Sequence, residues 1–337
     1  MPMEDRAVWV RGLKSPRTGH VWCAHAKLRD MANYIVDKPL ATLDDLTLDG
    51  DDDGDAGVET KPTLTLSLAD IDESLDGFVL DGVLTRDECQ RTIDSFERAG
   101  FSFWDPAGAD DDKRRVRNAD TLEFIGGELC AQLWRRLAPF VVARSRISPE
   151  QERCEPDIEG EWAAAGLNEH LLVNKYVAGG HFAPHVDGAT IDTFNRRSLY
   201  TVLLYLNDTA SGGATQILRG EQCDATQRDE ARGGAAVARS DAVAHAVEPR
   251  AGRVLVYWHQ TLHAGEPVGP GALKYCIRSD IMFERDPPQC TAPNDLEAFE
   301  LYERARALEA DGRTMEALPL FMRSAKISPG IRKAFRM

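Results

Sequence analysis

A succession of short apolar segments between residues 171 and 283 constrains the fold of this chain more than any other feature. The segments are rich in Val, Leu, Ile and Tyr, and polar stretches that contain glycine separate them. Many short strands joined by such turns are typical of an antiparallel sandwich or barrel. The segments are LLVNKYV, SLYTVLLYLN, ATQIL, AVAHAV, RVLVYW and KYCIRSDIMF.

The residues before this region predict helices that back a sheet. DGFVLDGVL predicts a short strand, and Thr85 with Glu88 predicts a capping box at the start of an amphipathic helix. A second helix is predicted for residues 127–143, where Leu129, Leu133 and Leu137 share one face. We therefore expect an α+β main domain with a mainly β core at residues 71–287.

Both ends of the chain differ in pattern from this main domain. Residues 1–70 have a β-β-α-β-β order that ends in KPTLTLSL, which resembles a ubiquitin-like domain; a plain α+β extension is the alternative. Residues 288–337 predict a helix, an Asp-Gly turn and a second helix, which resembles one tetratricopeptide-type repeat despite Pro319. Because a single repeat cannot build a binding groove, we expect a helical hairpin that packs on the main domain.

Charge and cysteine usage exclude several classes of function. The chain has 40 Lys and Arg against 55 Asp and Glu, a formal net charge of −15, which disfavours nucleic acid and anionic membranes as partners. The basic run Lys113 to Arg115, with Arg117, is predicted to be a solvated loop beside acidic residues. Seven scattered cysteines, no basic and apolar leader and no long apolar stretch indicate a cytoplasmic or nuclear protein without a membrane span.

HFAPHVDG contains the residues most typical of a metal site. His185 and Asp187 are two residues apart, so on a strand their side chains leave the same face. A third ligand from a distant strand would complete a facial triad of two histidines and one carboxylate, the set of non-haem Fe(II) oxygenases. VLVYWHQTLHAGEPV offers His259 and His263 for that position. A zinc enzyme is less favoured, since H-E-x-x-H is absent.

Five motifs in order make the chain similar to the prolyl 4-hydroxylase branch of the 2-oxoglutarate and Fe(II)-dependent dioxygenases. They are NKYVAGGHFAPHVDG, SLYTVLLYLND, GGATQIL, VEPRAGRVLVYWHQTLHAGEPV and GALKYCIRSDIMFER. The resemblance covers about residues 77–285 and implies a double-stranded β-helix, or jelly roll. It implies His185, Asp187 and His263 as metal ligands, because the family pattern His-x-Gly-x-Pro-Val continues from His263.

The resemblance also implies a site for 2-oxoglutarate. Lys274 lies near the position of the family's 2-oxoglutarate lysine, whereas Arg278 is expected to line the barrel, paired with Asp280. Tyr176 and Tyr205 lie where the family has tyrosines that contact the co-substrate, and Thr201 is a further candidate on the same face as Tyr205. Without the family, core packing would be the preferred interpretation of both tyrosines.

The activity that the resemblance implies is hydroxylation of an unactivated C–H bond. Fe(II) is the cofactor, 2-oxoglutarate and O2 are co-substrates, and ascorbate is the expected reductant. The expected substrate is a prolyl residue of an intracellular protein, which long polar segments at residues 105–118 and 220–240 would border at the open end of the barrel. A small-molecule hydroxylase and a non-catalytic scaffold protein are the alternatives, and the sequence leaves the oligomeric state open.

Overall fold

The computed structural model describes residues 61–151 and 157–337, together with residues 40, 41, 43, 46 and 48. Within these ranges the chain is mixed, with strands concentrated in the central part and helices at its two ends. The strands are β1 (Thr63–Ser67), β2 (Gly77–Asp81), β3 (Ser102–Phe103), β4 (Arg117–Asn118), β5 (Asp120–Ile125), β6 (Arg144–Ile147), β7 (Gly160–Leu167), β8 (His170–Tyr176), β9 (His181–His185), β10 (Ile191–Thr193), β11 (Arg196–Tyr205), β12 (Thr215–Leu218), β13 (Thr226–Asp229), β14 (Ala235–Ala238), β15 (Val243–Val247), β16 (Val254–Trp258), β17 (His263–Gly265) and β18 (Lys274–Arg285). The α-helices are α1 (Arg86–Ala99), α2 (Asp111–Val116), α3 (Gly127–Leu137), α4 (Gln222–Ala225), α5 (Pro293–Ala310), α6 (Thr314–Ile327) and α7 (Pro329–Ala334).

Two antiparallel sheets form the centre of the molecule. The larger sheet has eleven strands, in the order β1-β2-β16-β11-β18-β8-β5-β3, with β10 beside β11, β7 beside β18 and β6 beside β7. The smaller sheet has the order β15-β12-β17-β9-β4. Many neighbouring strands in the two sheets are distant in sequence, as in a jelly roll, and the expected antiparallel β core is confirmed.

Strand β18 runs through the middle of the larger sheet and carries side chains to both of its faces. Val256, Ile277 and Phe283 belong to the main apolar cluster, on which the helices pack, whereas Tyr205, Leu255 and Cys276 belong to a second cluster. Alternate residues of a strand point to opposite faces, so one face of β18 packs on the helices and the other faces the smaller sheet. The space between the two sheets contains the candidate site.

Helices α1 and α3 cover the outer face of the larger sheet, as predicted. Thr85 caps α1 with the expected capping box, in which its hydroxyl accepts from the Glu88 amide and Glu88 accepts from the Thr85 amide. Glu88 also accepts two hydrogen bonds from Arg136 of α3, at 2.7 and 3.0 Å. This ion pair joins the two helices. The predicted second helix is shorter than expected, since α3 ends at Leu137 and a 3-10 turn follows at Ala138–Phe140.

The predicted ubiquitin-like unit at residues 1–70 lies for the most part outside the described residues. Its last predicted strand, TLTLS, is β1, which pairs antiparallel with β2. Strand β2 in turn pairs with β16, so β1 extends the larger sheet instead of closing a separate domain. Leu68 explains this placement, because its side chain is fully buried in the apolar cluster that contains Val79 and Leu255.

The C-terminal residues form the predicted helical hairpin, with a third short helix, α7, after it. Ala317 of α6 is fully buried, and Pro319 lies within α6. The hairpin packs on the turn between β10 and β11, where Phe194 contacts Phe299 and Phe335 with ring centroids 6.0 Å apart in both pairs. No helix among the described parts of the chain is long and apolar enough to cross a membrane.

Two polar segments contain regular secondary structure. The basic run is not a loop: it forms α2, whose amino terminus Asp110 caps, and Arg117 just after it is buried with 5% exposure. Residues 220–240 form α4 and the β13–β14 hairpin, which packs beside β9. Gln222 of α4 donates to the carbonyl oxygen of Pro184, one residue before the predicted metal ligand His185.

Candidate metal centre

His185 and His263 lie side by side in the smaller sheet. His185 ends β9, His263 begins β17, and the two residues are direct partners in the antiparallel register. Asp187 lies beyond the end of β9, not on the strand as predicted, and its backbone amide donates to the carbonyl oxygen of His259 at 3.0 Å. Strand pairing therefore places the two imidazoles together, and a backbone hydrogen bond holds the carboxylate beside them.

In the described part of the chain, these three residues form a group that could hold a metal ion, here called the metal-binding cluster, with ligand atoms all within 4.8 Å of one another. His185 Nε2 is 3.8 Å from Asp187 Oδ1, and His263 Nε2 is 3.7 Å from Asp187 Oδ2. Each Nδ1 donates to a carbonyl oxygen two residues earlier, that of Ala183 at 2.7 Å and that of Thr261 at 2.9 Å. Because a carbonyl oxygen can only accept, Nδ1 carries the proton and Nε2 presents its lone pair to the centre.

Burial keeps both imidazoles neutral. It lowers the pKa of His185 to about 3, and the neighbouring His263 lowers it further than Asp187 can raise it. Burial also lowers the pKa of His263. A neutral imidazole is the form that binds a metal ion, so neither histidine has to release a proton near neutral pH.

The Asp187 carboxylate is held on both of its oxygens. Oδ2 accepts from the Thr201 hydroxyl at 2.7 Å and from the Tyr257 hydroxyl at 2.8 Å, while Oδ1 lies 3.6 Å from Arg278 Nε. Burial raises the pKa of Asp187, but the charge of Arg278, together with the hydrogen bond from Thr201, opposes this effect, and that pKa lies well below its ordinary value. The carboxylate is therefore ionised and oriented, as a metal ligand must be.

The other two histidines of these motifs have different partners. His259 is buried, with Nε2 2.7 Å from the Ser198 hydroxyl and Nδ1 2.9 Å from the Thr201 hydroxyl. The ring nitrogens of His181 lie 3.1 Å from the carbonyl oxygens of Gly179 and Arg115. In both rings each nitrogen lies within hydrogen-bond distance of these partners, so neither ring has a nitrogen directed at the metal-binding cluster.

A cavity of about 140 Å³ adjoins the cluster and extends along β18. Lys274 lies at one end, opposite Tyr176 on β8, and is 4% exposed. Its ammonium group donates to the carbonyl oxygen of Gly213 at 2.7 Å and lies 5.3 and 5.4 Å from the ring centres of Tyr176 and Tyr205. Within the ranges that the structure describes, no acidic side chain forms an ion pair with Lys274.

The other residues predicted to contact a co-substrate have distinct surroundings. Tyr176 lines the cavity, whereas the Tyr205 hydroxyl donates to Thr215 at 2.7 Å and Thr215 in turn lines the cavity. Thr201 was predicted to contact the co-substrate, but its hydroxyl donates to Asp187. The alternation along β11 therefore placed Thr201 on the correct face of the strand. The partner of its hydroxyl is Asp187.

Arg278 is neutralised by two carboxylates, unlike Lys274. Its guanidinium lies 3.6 Å from Asp187 and 3.2 Å from Asp280, the partner expected from the sequence. Sequence reasoning missed two further residues of the site, Tyr257 and Arg117. The alternation of VLVYW could have placed Tyr257 on an inward face, but nothing in the sequence signals that Arg117 is buried in the cavity.

Comparison with known proteins adds the following findings. The model of the 2OG-Fe(II) oxygenase superfamily matches residues 171–279. A search of curated proteins gave no match. Among solved structures, a viral collagen prolyl hydroxylase from Paramecium Bursaria Chlorella virus-1, as its 2OG complex, is 19% identical, with 61% of this chain and 94% of that chain covered and a TM-score of 0.37.

Two further solved structures are similar to the same extent. A prolyl-4-hydroxylase from Pseudomonas putida is 15% identical, with 61% of this chain and 91% of that chain covered and a TM-score of 0.37. A prolyl hydroxylase from Trichoplax adhaerens, in complex with a peptide fragment of the hypoxia inducible factor oxygen degradation domain, is 18% identical. It covers 62% of this chain and 82% of that chain, with a TM-score of 0.37.

The superfamily implies Fe(II), 2-oxoglutarate and O2, and the donor set suits them. Two neutral imidazoles and one carboxylate are the protein ligands of a facial triad. A buried ammonium group that forms no ion pair with any described acidic side chain suits a carboxylate. His185, Asp187, His263 and Lys274 all lie within the matched range. Residues 171–279, less than half of the chain, thus match the 2OG-Fe(II) oxygenase superfamily.

Proposed function

We propose that the chain is a 2-oxoglutarate-dependent hydroxylase in which His185, Asp187 and His263 hold Fe(II). One observation carries the proposal: the buried His-Asp-His cluster shares a cavity with Lys274, a buried cation that has no acidic partner in the described ranges. A cation so placed costs free energy unless an anion binds there. In the superfamily whose model matches residues 171–279, that anion is 2-oxoglutarate.

Different residues of the cavity bind the metal and the co-substrate. The bound Fe(II) would supply the activation of O2 and the oxidation of the C–H bond. Lys274 binds the distal carboxylate of 2-oxoglutarate, with Tyr176 and the Thr215 hydroxyl, itself hydrogen-bonded to Tyr205, at the same end of the cavity. Thr201 and Tyr257 hold Asp187 in its binding orientation, and the burial of all three ligands excludes bulk water.

The proposed acceptor is a prolyl residue of an intracellular protein, with ascorbate as the reductant. The order of the motifs from NKYV to GALKY supports this acceptor, because it is the order of the prolyl 4-hydroxylase branch. The net charge of −15 also favours a protein over a polyanion such as nucleic acid. Because the proposed acceptor is intracellular, the proposed location of this chain is the cytoplasm or the nucleus.

Succinate formation tests the reaction. The purified chain, given Fe(II), 2-oxoglutarate, ascorbate and O2, is expected to release succinate, and His185→Ala, Asp187→Ala and His263→Ala are each expected to abolish it. His245→Ala is the matched control, since His245 lies on β15 of the same sheet and outside the cluster. Loss of turnover in the control, or turnover by any of the three ligand variants, would contradict the assignment.

A mass measurement tests the acceptor. Proline-containing peptides are expected to gain the mass of one oxygen in proportion to the succinate formed. Free proline and methylated oligonucleotides serve as comparison substrates. Coupled oxidation of a comparison substrate, with no gain by peptides or by proteins of a cell lysate, would exclude a protein acceptor while leaving the oxygenase reaction in place.

A further inference from the structure

Three cationic side chains line the cavity, and the two that are buried, Lys274 and Arg117, form no ion pair with an acidic side chain of the described residues. Arg278 is paired with Asp187 and Asp280. Lys274 donates to a backbone carbonyl oxygen, and Arg117 donates to the amide oxygen of Asn174 at 2.6 Å. Arg117 is 5% exposed, lines the cavity and has no hydrogen-bond partner for its Nε.

Strand pairing and aromatic packing hold Arg117 close to the metal-binding cluster. Arg117 lies on β4, opposite Phe182 of β9, and its guanidinium carbon is 4.7 Å from the centre of the Phe182 ring. The other contact of that ring is with His185, with stacked ring centroids 3.7 Å apart. The guanidinium is therefore no farther from the His185 ring centre than the sum of these two distances.

Arg117 also lies beside the co-substrate end of the cavity. Burial raises the pKa of Tyr176, and the charge of Arg117 opposes that rise. Trp104 packs against the same guanidinium, with its ring centre at 5.6 Å, and donates to the carbonyl oxygen of Arg117. Aromatic rings stabilise a cation by much less than a carboxylate does. The guanidinium therefore keeps most of its capacity to bind an anion.

The carboxylates of 2-oxoglutarate are already accounted for in the proposed function, so Arg117 needs another anionic partner. 2-Oxoglutarate has two carboxylates; in the proposed function the distal one binds Lys274, and the other would lie on the side of the metal. Neither is left for a third group. A buried, unpaired guanidinium is costly, and its planar array of donors matches a carboxylate. The remaining molecule in the cavity is the acceptor.

We propose that Arg117 binds a carboxylate of the acceptor and so selects acceptors that carry one next to the carbon to be hydroxylated. The inference rests on the proposed function, because it assumes that Lys274 takes the co-substrate. For a prolyl acceptor, the carboxylate belongs to the proline itself at a carboxyl terminus or to the side chain of an adjacent acidic residue. Arg117 is thus a specificity-determining residue that no motif of the sequence identifies.

Binding without turnover tests the proposal. The full chain is loaded with Co(II) in place of Fe(II) and with 2-oxoglutarate, and it is titrated calorimetrically with two matched pairs of probes. The pairs are N-acetyl-L-proline with its carboxamide, and N-acetyl-Pro-Glu-amide with N-acetyl-Pro-Gln-amide. Within at least one pair, the carboxylate is expected to bind about 10-fold more tightly or better, the range of a hydrogen bond to a charged group.

Three variants separate charge from packing. Arg117→Met keeps the apolar stem against Phe182 and Trp104 and is expected to remove the preference for the carboxylate. Arg117→Lys, which restores the charge, is expected to recover part of it. Arg114→Met is the matched control, since Arg114 is an exposed neighbour that contacts Asn118 and Phe103. Far-UV circular dichroism and Co(II) affinity check that each variant is folded.

Different experimental results would contradict this inference and the proposed function. No preference for either carboxylate in the wild-type chain, including no binding of any probe, overturns the inference. So does a preserved preference in Arg117→Met, or a loss of 2-oxoglutarate affinity in that variant as large as in Lys274→Ala. Failure of the wild-type chain to bind Co(II) or 2-oxoglutarate would instead contradict the proposed function.

Discussion

At the scale of single residues, hydrogen-bond partners separate side chains of the same type into different roles. His263 has its Nδ1 on a backbone carbonyl oxygen, and its Nε2 lies 3.0 Å from the Tyr257 hydroxyl and 3.7 Å from Asp187. His259 instead has its two nitrogens on the Ser198 and Thr201 hydroxyls. Lys274 and Arg278 also differ in their partners, because among the described residues Arg278 has two carboxylate partners and Lys274 has none. Lys274 is therefore the cation that is available to bind a ligand carboxylate.

Lys274 should therefore control the affinity for 2-oxoglutarate. Replacing it with Ala removes the charged partner of a buried carboxylate, a loss of about 2–5 kcal/mol, so the concentration of 2-oxoglutarate required should rise about 30-fold or more. Titration of the Co(II)-loaded protein with 2-oxoglutarate measures this, beside Arg278→Ala. A larger loss of affinity in Arg278→Ala would reverse the assignment of the two cations.

Tyr257 should control metal affinity without binding the metal. Its hydroxyl donates to Asp187 Oδ2, and loss of such an outer hydrogen bond lowers metal affinity about 10- to 100-fold. We expect this loss for Co(II) in Tyr257→Phe, measured by absorption titration. Tyr205→Phe is the control, since the Tyr205 hydroxyl donates to Thr215 instead. Equal Co(II) affinities in the two variants would show that the Tyr257 hydroxyl does not hold the carboxylate.

At the scale of elements, single buried side chains join neighbouring elements of the fold. Glu88 joins α1 to α3 through Arg136 and also caps α1 through the Thr85 amide. Phe194 joins the C-terminal hairpin to the turn between β10 and β11. Each of these side chains has partners from two elements, so one substitution affects how the elements pack on each other.

The Glu88 contact gives the stability a defined dependence on pH. Burial raises the pKa of Glu88, but Arg136 and the Thr85 amide outweigh it and leave that pKa below the ordinary value of 4.5. A lowered pKa stabilises the fold above pH 4.5, and this stabilisation is lost as the pH falls through the folded-state pKa. Glu88→Gln should therefore lower the free energy of unfolding by about 1–3 kcal/mol at pH 7 and by much less in acid.

Urea denaturation of Glu88→Gln and the wild-type chain at several pH values measures this difference. Glu128→Gln is the control on the neighbouring helix, because Glu128 is exposed and lies 4.0 Å from Arg135. It should leave the unfolding free energy nearly unchanged at every pH. A difference between Glu88→Gln and the wild-type chain that does not shrink in acid would mean that the ion pair is not its source.

At the scale of the whole molecule, the candidate site depends on both sheets at once. The smaller sheet supplies His185 and His263, while the larger sheet supplies Thr201, Tyr257 and Arg278, which contact Asp187. A metal ion bound at the cluster therefore requires the two sheets to be packed together. Binding to the folded state alone should stabilise the whole domain.

Metal addition should thus raise the melting temperature. At a free Co(II) concentration 100 times its dissociation constant, the gain is about 2.7 kcal/mol, and removal of the ion with EDTA should reverse it. Thermal unfolding of the wild-type chain and of Asp187→Ala, with and without Co(II), measures the effect. An equal rise in both proteins would mean that the ion binds elsewhere.

The sequence by itself determined the local features of this protein. The spacing of His185 and Asp187, the cap at Thr85 and the alternation of β11 and β18 depend on residues only a few positions apart, and short-range geometry is the same in any fold. The antiparallel β core followed from the repetition of such segments. The choice of His263 over His259, however, came from resemblance to a family and not from spacing.

Only the tertiary structure decided which distant side chains meet. Tyr257 contacts Asp187, 70 residues earlier, because β16 pairs with β11 in one particular register. Arg117 belongs to a basic run that predicts a solvated loop, and its burial follows from the pairing of β4 with β9. A shift of one residue in either pairing would turn these side chains to the opposite face. Register depends on the packing of the whole sheet, so no stretch of sequence near Tyr257 or Arg117 encodes their partners.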